Sequence, residues 1–125
     1  MNGNNLLLDT NAIIYFLEGR QTIKALIAQA PTVYFSPISE IELLSAPWLD
    51  NTQRDQIHAF LSLCERIDLT APVVGQAIRI RRQHQRKIPD AIIAASAIVL
   101  NIPLVTADKD FQNIESLTTI ADILS

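Results

Sequence analysis

Four carboxylates stand where the chain changes character: Asp9 after "NLLL", Glu42 in "SEIELL", Asp90 after "KIP" and Asp108 after "PLVTA". Each has a reading as local structure. Asp9 caps a helix that begins at Thr10, Asp90 behind Pro89 is a good N-cap, and Glu42 closes a capping box with Ser39. Asp110 sits in the same acidic turn as Asp108 and serves equally well as a cap. Their combined placement suggests more. Two unit charges roughly 5 Å apart repel by about 3 kcal/mol at an effective dielectric of about 20. Four converging carboxylates are therefore stable only if protonated or neutralised by cations. All-oxygen donors select hard ions, so Mg²⁺ or Mn²⁺ is expected rather than Zn²⁺. The two histidines, His58 and His84, lie far apart and lack the spacing of a zinc site.

Whether the acids meet depends on the elements that carry them. "NLLLD" reads as a short buried strand, followed by a helix over "TNAIIYFLEG" closed by Gly19. "QTIKALIAQA" has helical spacing and stops at Pro31. "TVYFS" is rich in β-branched and aromatic residues and reads as a strand, and "PISEIELLSA" as a helix with Pro37 in its first turn. "QRDQIHAFLSLCER" places Ile57, Phe60, Leu61 and Cys64 on one helical face, with the thiol expected to be buried. "RIDLT" follows as a strand and "PVVGQAIRIRRQHQR" as a helix, apolar early and basic late. "PDAIIAASAIVLN" is apolar nearly all round, which implies a helix buried on most sides. "IPLVT" is a strand, "ADKDFQNI" a turn and short helix, and "LTTIA" a last strand. Strands alternating with helices favour a parallel sheet covered on both faces, with ligands at the carboxyl ends of its strands. Asp9 and Asp108 both fall at that edge.

Composition narrows the class. A chain of 125 residues, 49% hydrophobic and 18% charged, has the means for a core, and residues 1–125 read as one domain without a linker. One cysteine cannot close an internal disulfide, the amino terminus lacks the pattern of a secretory signal, and no apolar stretch is long enough to span a bilayer. A cytoplasmic protein is expected. A net charge of −3 argues against nucleic-acid binding by bulk charge. The distribution matters more, because five of the ten Lys and Arg residues, Arg79, Arg81, Arg82, Arg86 and Lys87, fall within "RIRRQHQRK" just before Asp90. That segment is either a solvated helix face or a phosphate-binding patch that offsets the acids. Trp48 and Leu49, in "APWLD", belong either to the core, the expected place for a tryptophan, or to an interface.

The stretches "LLLDTNAIIYFL", "SPISEIELLS" and "KIPDAIIAASAIVLNIPLVTADKDF" together resemble the PIN-domain ribonucleases, especially the VapC-type toxins of toxin–antitoxin pairs. The resemblance spans nearly the whole chain. It implies a three-layer α/β/α domain around a central parallel sheet, with a metal-dependent endoribonuclease site at the sheet edge. By the same resemblance the four acids are Asp9, Glu42, Asp90 and Asp108, and Glu42 fits the family pattern better than Glu40. One departure is Ser45, where the family often has glycine. The acids would hold one or two Mg²⁺ or Mn²⁺ ions, and water would cleave RNA in line, leaving a 5′-phosphate and a 3′-hydroxyl. Thr10, Asn11 and Thr106 would orient the site, with Asp110 assisting or capping. Arg79, Arg82, Arg86 and Lys87 would contact RNA. A cognate antitoxin and a homodimer are implied as partners.

Two other classes remain. A receiver-like phosphoacceptor domain shares the alternation of strands and helices, but it normally carries an adjacent acidic pair after its first strand, where this chain has Asp9-Thr10-Asn11. A non-catalytic PIN-like module that binds RNA or protein would have lost acids that this chain retains.

Overall fold

The computed structural model describes residues 4–125; residues 1–3, the start of the stretch read above for a secretory signal, lie outside the described residues. The chain opens with strand β1 (Leu6–Leu8), helices α1 (Thr10–Leu17) and α2 (Gln21–Gln29), strand β2 (Val33–Phe35), and helices α3 (Pro37–Leu44) and α4 (Asn51–Ser62). It continues through strand β3 (Glu65–Arg66), helices α5 (Ala71–His84) and α6 (Ile88–Leu100), strand β4 (Leu104–Val105), a 3₁₀ turn (Lys109–Asn113) and strand β5 (Thr119–Ile120). The five strands form one sheet in the order β3-β2-β1-β4-β5, and every pairing is parallel.

Strand alternation divides the core in two. Leu6 and Leu8 of β1, with Val33 and Phe35 of β2, face a layer that includes Ile13, Ile23, Leu43, Ile57 and Phe60 from α1 to α4. Leu7 between them, and Leu104 beside it in register, face Val73, Ala77 and Ile80 of α5 and the alanine-rich side of α6. This is the expected three-layer α/β/α arrangement. Burial of Ala91, Ile93, Ala94, Ala95, Ser96 and Ala97 agrees with an α6 apolar on most sides, and the Ser96 hydroxyl is satisfied by donating to the Ile92 carbonyl at 2.8 Å. Among the described residues no helix is long and apolar enough to cross a membrane.

Several local expectations are corrected. The strand expected at "RIDLT" is only Glu65–Arg66, starting one residue earlier; Ile67 still donates its N–H to the Phe35 carbonyl, while the chain then turns at Asp68 and Thr70 caps α5. Helix α4 ends at Ser62, so Cys64 lies beyond it and is half-buried; burial pushes its thiol pKa up to about 11 and keeps it a poor nucleophile. Trp48, expected in the core, is 68% exposed beside a shallow cleft lined by Ile14, Leu17 and Leu49. Asp90 is not the N-cap of α6. The helix starts with Ile88 and Pro89 after Lys87, which puts Asp90 in the first turn with its carboxylate free of capping. Nor do Ser39 and Glu42 form a capping box, since Ser36 caps α3 by accepting the Ile38 N–H at 3.1 Å.

Candidate active site

Strand order reverses between β1 and β4: the chain works outward from β1 through β2 to β3, then returns to the other side of β1 for β4 and β5. In parallel α/β sheets a crevice opens at such a reversal, at the carboxyl ends of the two strands. Asp9 follows β1, Thr106 and Asp108 follow β4, and a backbone bond from the Asp9 N–H to the Val105 carbonyl, 3.2 Å, ties the two ends together. A cavity of about 250 Å³ lies there, lined by Asp9, Thr10, Asn11, Glu42, Asp90, Ile93, Asp108 and Phe111. All four acids singled out in the sequence therefore meet at one place.

Each is held differently. Asp9 is 8% exposed, and its Oδ1 accepts the Ala12 N–H at 2.7 Å, so it caps α1 and lines the cavity at once. Burial raises its pKa above the ordinary 3.8; the Thr106 hydroxyl and the Ala12 N–H pull it back, and the charges of Asp108 and Asp90 push it further up. Glu42 is exposed and held by Thr10, whose hydroxyl donates to Glu42 Oε1 at 2.6 Å. Thr10 Oγ1 also lies 2.8 Å from the fully buried Ser39 Oγ. Because Thr10 has a single hydroxyl proton and gives it to Glu42, Ser39 is the donor in that second bond. Asp108 is fixed through its backbone, its N–H donating to Thr106 Oγ1 at 3.1 Å, while its Oδ1 accepts the Asp110 N–H at 3.0 Å. Thr106 is completely buried; its hydroxyl accepts the Asp108 N–H and draws the Asp9 pKa down.

Arg86 lies among the acids rather than on the exposed basic face. Its Nη2 is 3.1 Å from Asp90 Oδ2 and 3.4 Å from Asp108 Oδ2, and its Nη1 is 3.7 Å from Asp110 Oδ2. The guanidinium carbon stands 4.5 Å from the centroid of the Phe111 ring. Arg79, Arg82 and Lys87, by contrast, are exposed to solvent. Sequence reasoning missed Ser39 and Phe111 as parts of the site. Ser39 is one helical turn before Glu42, and Phe111 follows the acidic turn, so helical spacing was the available signal for the first.

The donors suit a hard divalent cation in kind: all are carboxylate or hydroxyl oxygens, and a cationic guanidinium already bridges two of them. As they stand, no group of three or more acidic, histidine or cysteine side chains among the described residues is gathered closely enough to hold an ion.

The PIN domain family matches residues 6–117 of the chain. No match is found among curated proteins. Among solved structures, VapBC2 from Rickettsia felis, bound to a DNA fragment from its promoter, is similar at a TM-score of 0.79 and 24% identity over 93% of this chain and 97% of that one. A toxin–antitoxin complex from Klebsiella pneumoniae is similar at a TM-score of 0.78 and 29% identity, covering 91% and 96%. FitAcB from Neisseria gonorrhoeae shares the fold at a TM-score of 0.74 and 22% identity over 92% and 96%. The family match takes in β1 through β4 and all four acids, and on that ground the chain belongs to the PIN domain family.

Proposed function

We propose that this chain is the toxin of a toxin–antitoxin pair, a divalent-metal-dependent endoribonuclease that hydrolyses RNA phosphodiester bonds. The observation that carries the reading is the meeting of Asp9, Glu42, Asp90 and Asp108, from four separate segments, in one cavity at the reversal of strand order. Membership of the PIN domain family and likeness to a toxin–antitoxin complex support it. The four acids are the residues that would hold Mg²⁺ or Mn²⁺. Such an ion, when bound, supplies Lewis acidity toward the phosphodiester and makes water a competent nucleophile near neutral pH.

The chain's own residues do the rest. Thr10 orients Glu42, Thr106 orders Asp108 and favours the charged form of Asp9, and Asn11 at the cavity wall is placed to meet the substrate. An acidic cavity repels RNA, and the exposed Arg79, Arg82 and Lys87 offer phosphate contacts that offset that repulsion. Asp110 donates its backbone N–H to the Asp108 cap, turns its carboxylate toward Arg86 rather than lining the cavity, and is read as an auxiliary residue. The same reading treats residues 1–125 as one domain, places the protein in the cytoplasm as a homodimer, and gives it a small antitoxin partner that covers the exposed Trp48.

The test is incubation of total cellular RNA with the purified chain in Mg²⁺, in Mn²⁺ and in EDTA, alongside Asp9→Ala. Discrete products with 5′-phosphate ends that require metal and vanish in the variant are expected. Folded protein that cleaves nothing in either metal would overturn the nuclease and leave a binding module.

A further inference from the structure

Resting on that reading, we propose that Arg86 is a built-in counter-cation of the acidic site, a positioning residue that holds Asp90 and Asp108 together and competes with the divalent ion for them. One guanidinium nitrogen, Nη2, engages the Oδ2 atoms of both carboxylates, at 3.1 and 3.4 Å. An incoming ion that takes either oxygen has to share it with that nitrogen and meets the positive charge beside it. The seat is specific. The side chain is only 14% exposed and the guanidinium lies over the Phe111 ring, an arrangement for which lysine has no equivalent.

The seat is also incomplete, in two respects. Arg86 Nε is buried and, among the described residues, is the one buried side-chain nitrogen or oxygen with no hydrogen-bond partner. A single positive charge is moreover shared among three carboxylates, those of Asp90, Asp108 and Asp110. A divalent ion brings twice the charge and gives up nothing comparable to the stranded Nε–H. Arg86 therefore keeps the acids assembled while yielding to the ion. Its position favours release: it lies in the three-residue connection 85–87 between α5 and α6, next to Gln85 with a left-handed φ of 52°. Movement of this side chain leaves the helices where they are.

The experiment compares Mn²⁺ affinity, by calorimetry or paramagnetic resonance, and thermal stability with and without Mn²⁺, in the unaltered chain and in Arg86→Gln. With the competing positive charge removed, the variant is expected to bind Mn²⁺ about tenfold or more tightly. It should also melt lower in EDTA and gain more from the ion than the unaltered chain does. Equal or weaker Mn²⁺ binding by the variant would overturn the competition while leaving the metal site intact. If RNA binding by that variant instead lost salt dependence, Arg86 would belong to the substrate. Absence of Mn²⁺ binding by either protein would remove the metal reading beneath the proposal, and the proposal with it. Should Arg86→Gln not fold, Mg²⁺ titration of the unaltered chain, followed through the Arg86 Nε–H resonance, answers the same question. A resonance that moves and saturates with the ion supports displacement, and one that stays fixed while Mg²⁺ binds rejects it.

Discussion

Asp9 caps a helix from a nearly buried position, and the two neighbouring acids discourage it from ionising, yet the proposed chemistry needs its charge. The conflict gives a prediction about Asp9→Asn. The amide oxygen still accepts the Ala12 N–H, so the cap survives while the buried charge is removed. The variant should be more stable at neutral pH by about 1 kcal/mol, read from chemical or thermal denaturation, and should have lost RNA cleavage. The pH dependence follows from the direction of the shift. Below the ordinary value of 3.8 the carboxyl is protonated folded or unfolded, and charging costs the fold nothing. As pH rises through the higher folded pKa, the native state loses the stability it held with the proton bound. The advantage of Asp9→Asn should therefore be absent in strong acid, grow above pH 3.8 and level off once the native Asp9 is ionised, a course that paired melts across pH would trace. An advantage constant across that range would mean that burial of charge is not its origin.

Among the elements, α1 and α3 are joined at the site by Thr10, which links Glu42 to Ser39. Thr10→Val keeps the shape and removes the hydroxyl, stranding a buried donor on Ser39. A loss of about 1–3 kcal/mol is expected, together with reduced cleavage, whereas Thr10→Ser should restore most of both. The outer face of α5 makes a separate prediction: replacing Arg79 and Arg82 together by Ala should reduce the salt slope of single-stranded RNA binding by about 1.4 if each meets one phosphate. An unchanged slope would return those residues to the role of solvated surface. Most of these elements were legible in the sequence, since "LLLD" and "VYF" alternate across two apolar layers and the helices end at Gly19, before Pro31, or at left-handed Asn101. The meeting of the four acids was legible as well, because it follows from strand ends in a parallel sheet. The exact start of α6 was not. Pro89 suits the first turn as well as the residue before a cap, and one turn of difference decides whether Asp90 is a cap or a free carboxylate. The direction of Arg86 was equally hidden, because its neighbours Arg81 and Arg82 point to solvent and only the folded acidic turn draws Arg86 inward.

For the molecule as a whole, the exposed Trp48 is the feature that sequence statistics misplace, since a tryptophan is expected inside and this one is 68% exposed beside an apolar cleft. If the proposed antitoxin covers it, Trp48→Ala should leave cleavage and melting nearly unchanged and weaken inhibition by the antitoxin by about 2 kcal/mol, seen in a binding titration. Loss of cleavage with the substitution would instead make Trp48 part of the substrate surface. The sheet sets a different limit. Its flanking strands, β3 and β5, are two residues long each, and both residues of β3 are exposed and charged. A second chain approaching either border finds too few unpaired backbone groups to add a strand, and on one side a Glu and an Arg in the way. Copies of this chain that gather at high concentration are thereby denied an edge-strand template for fibril growth.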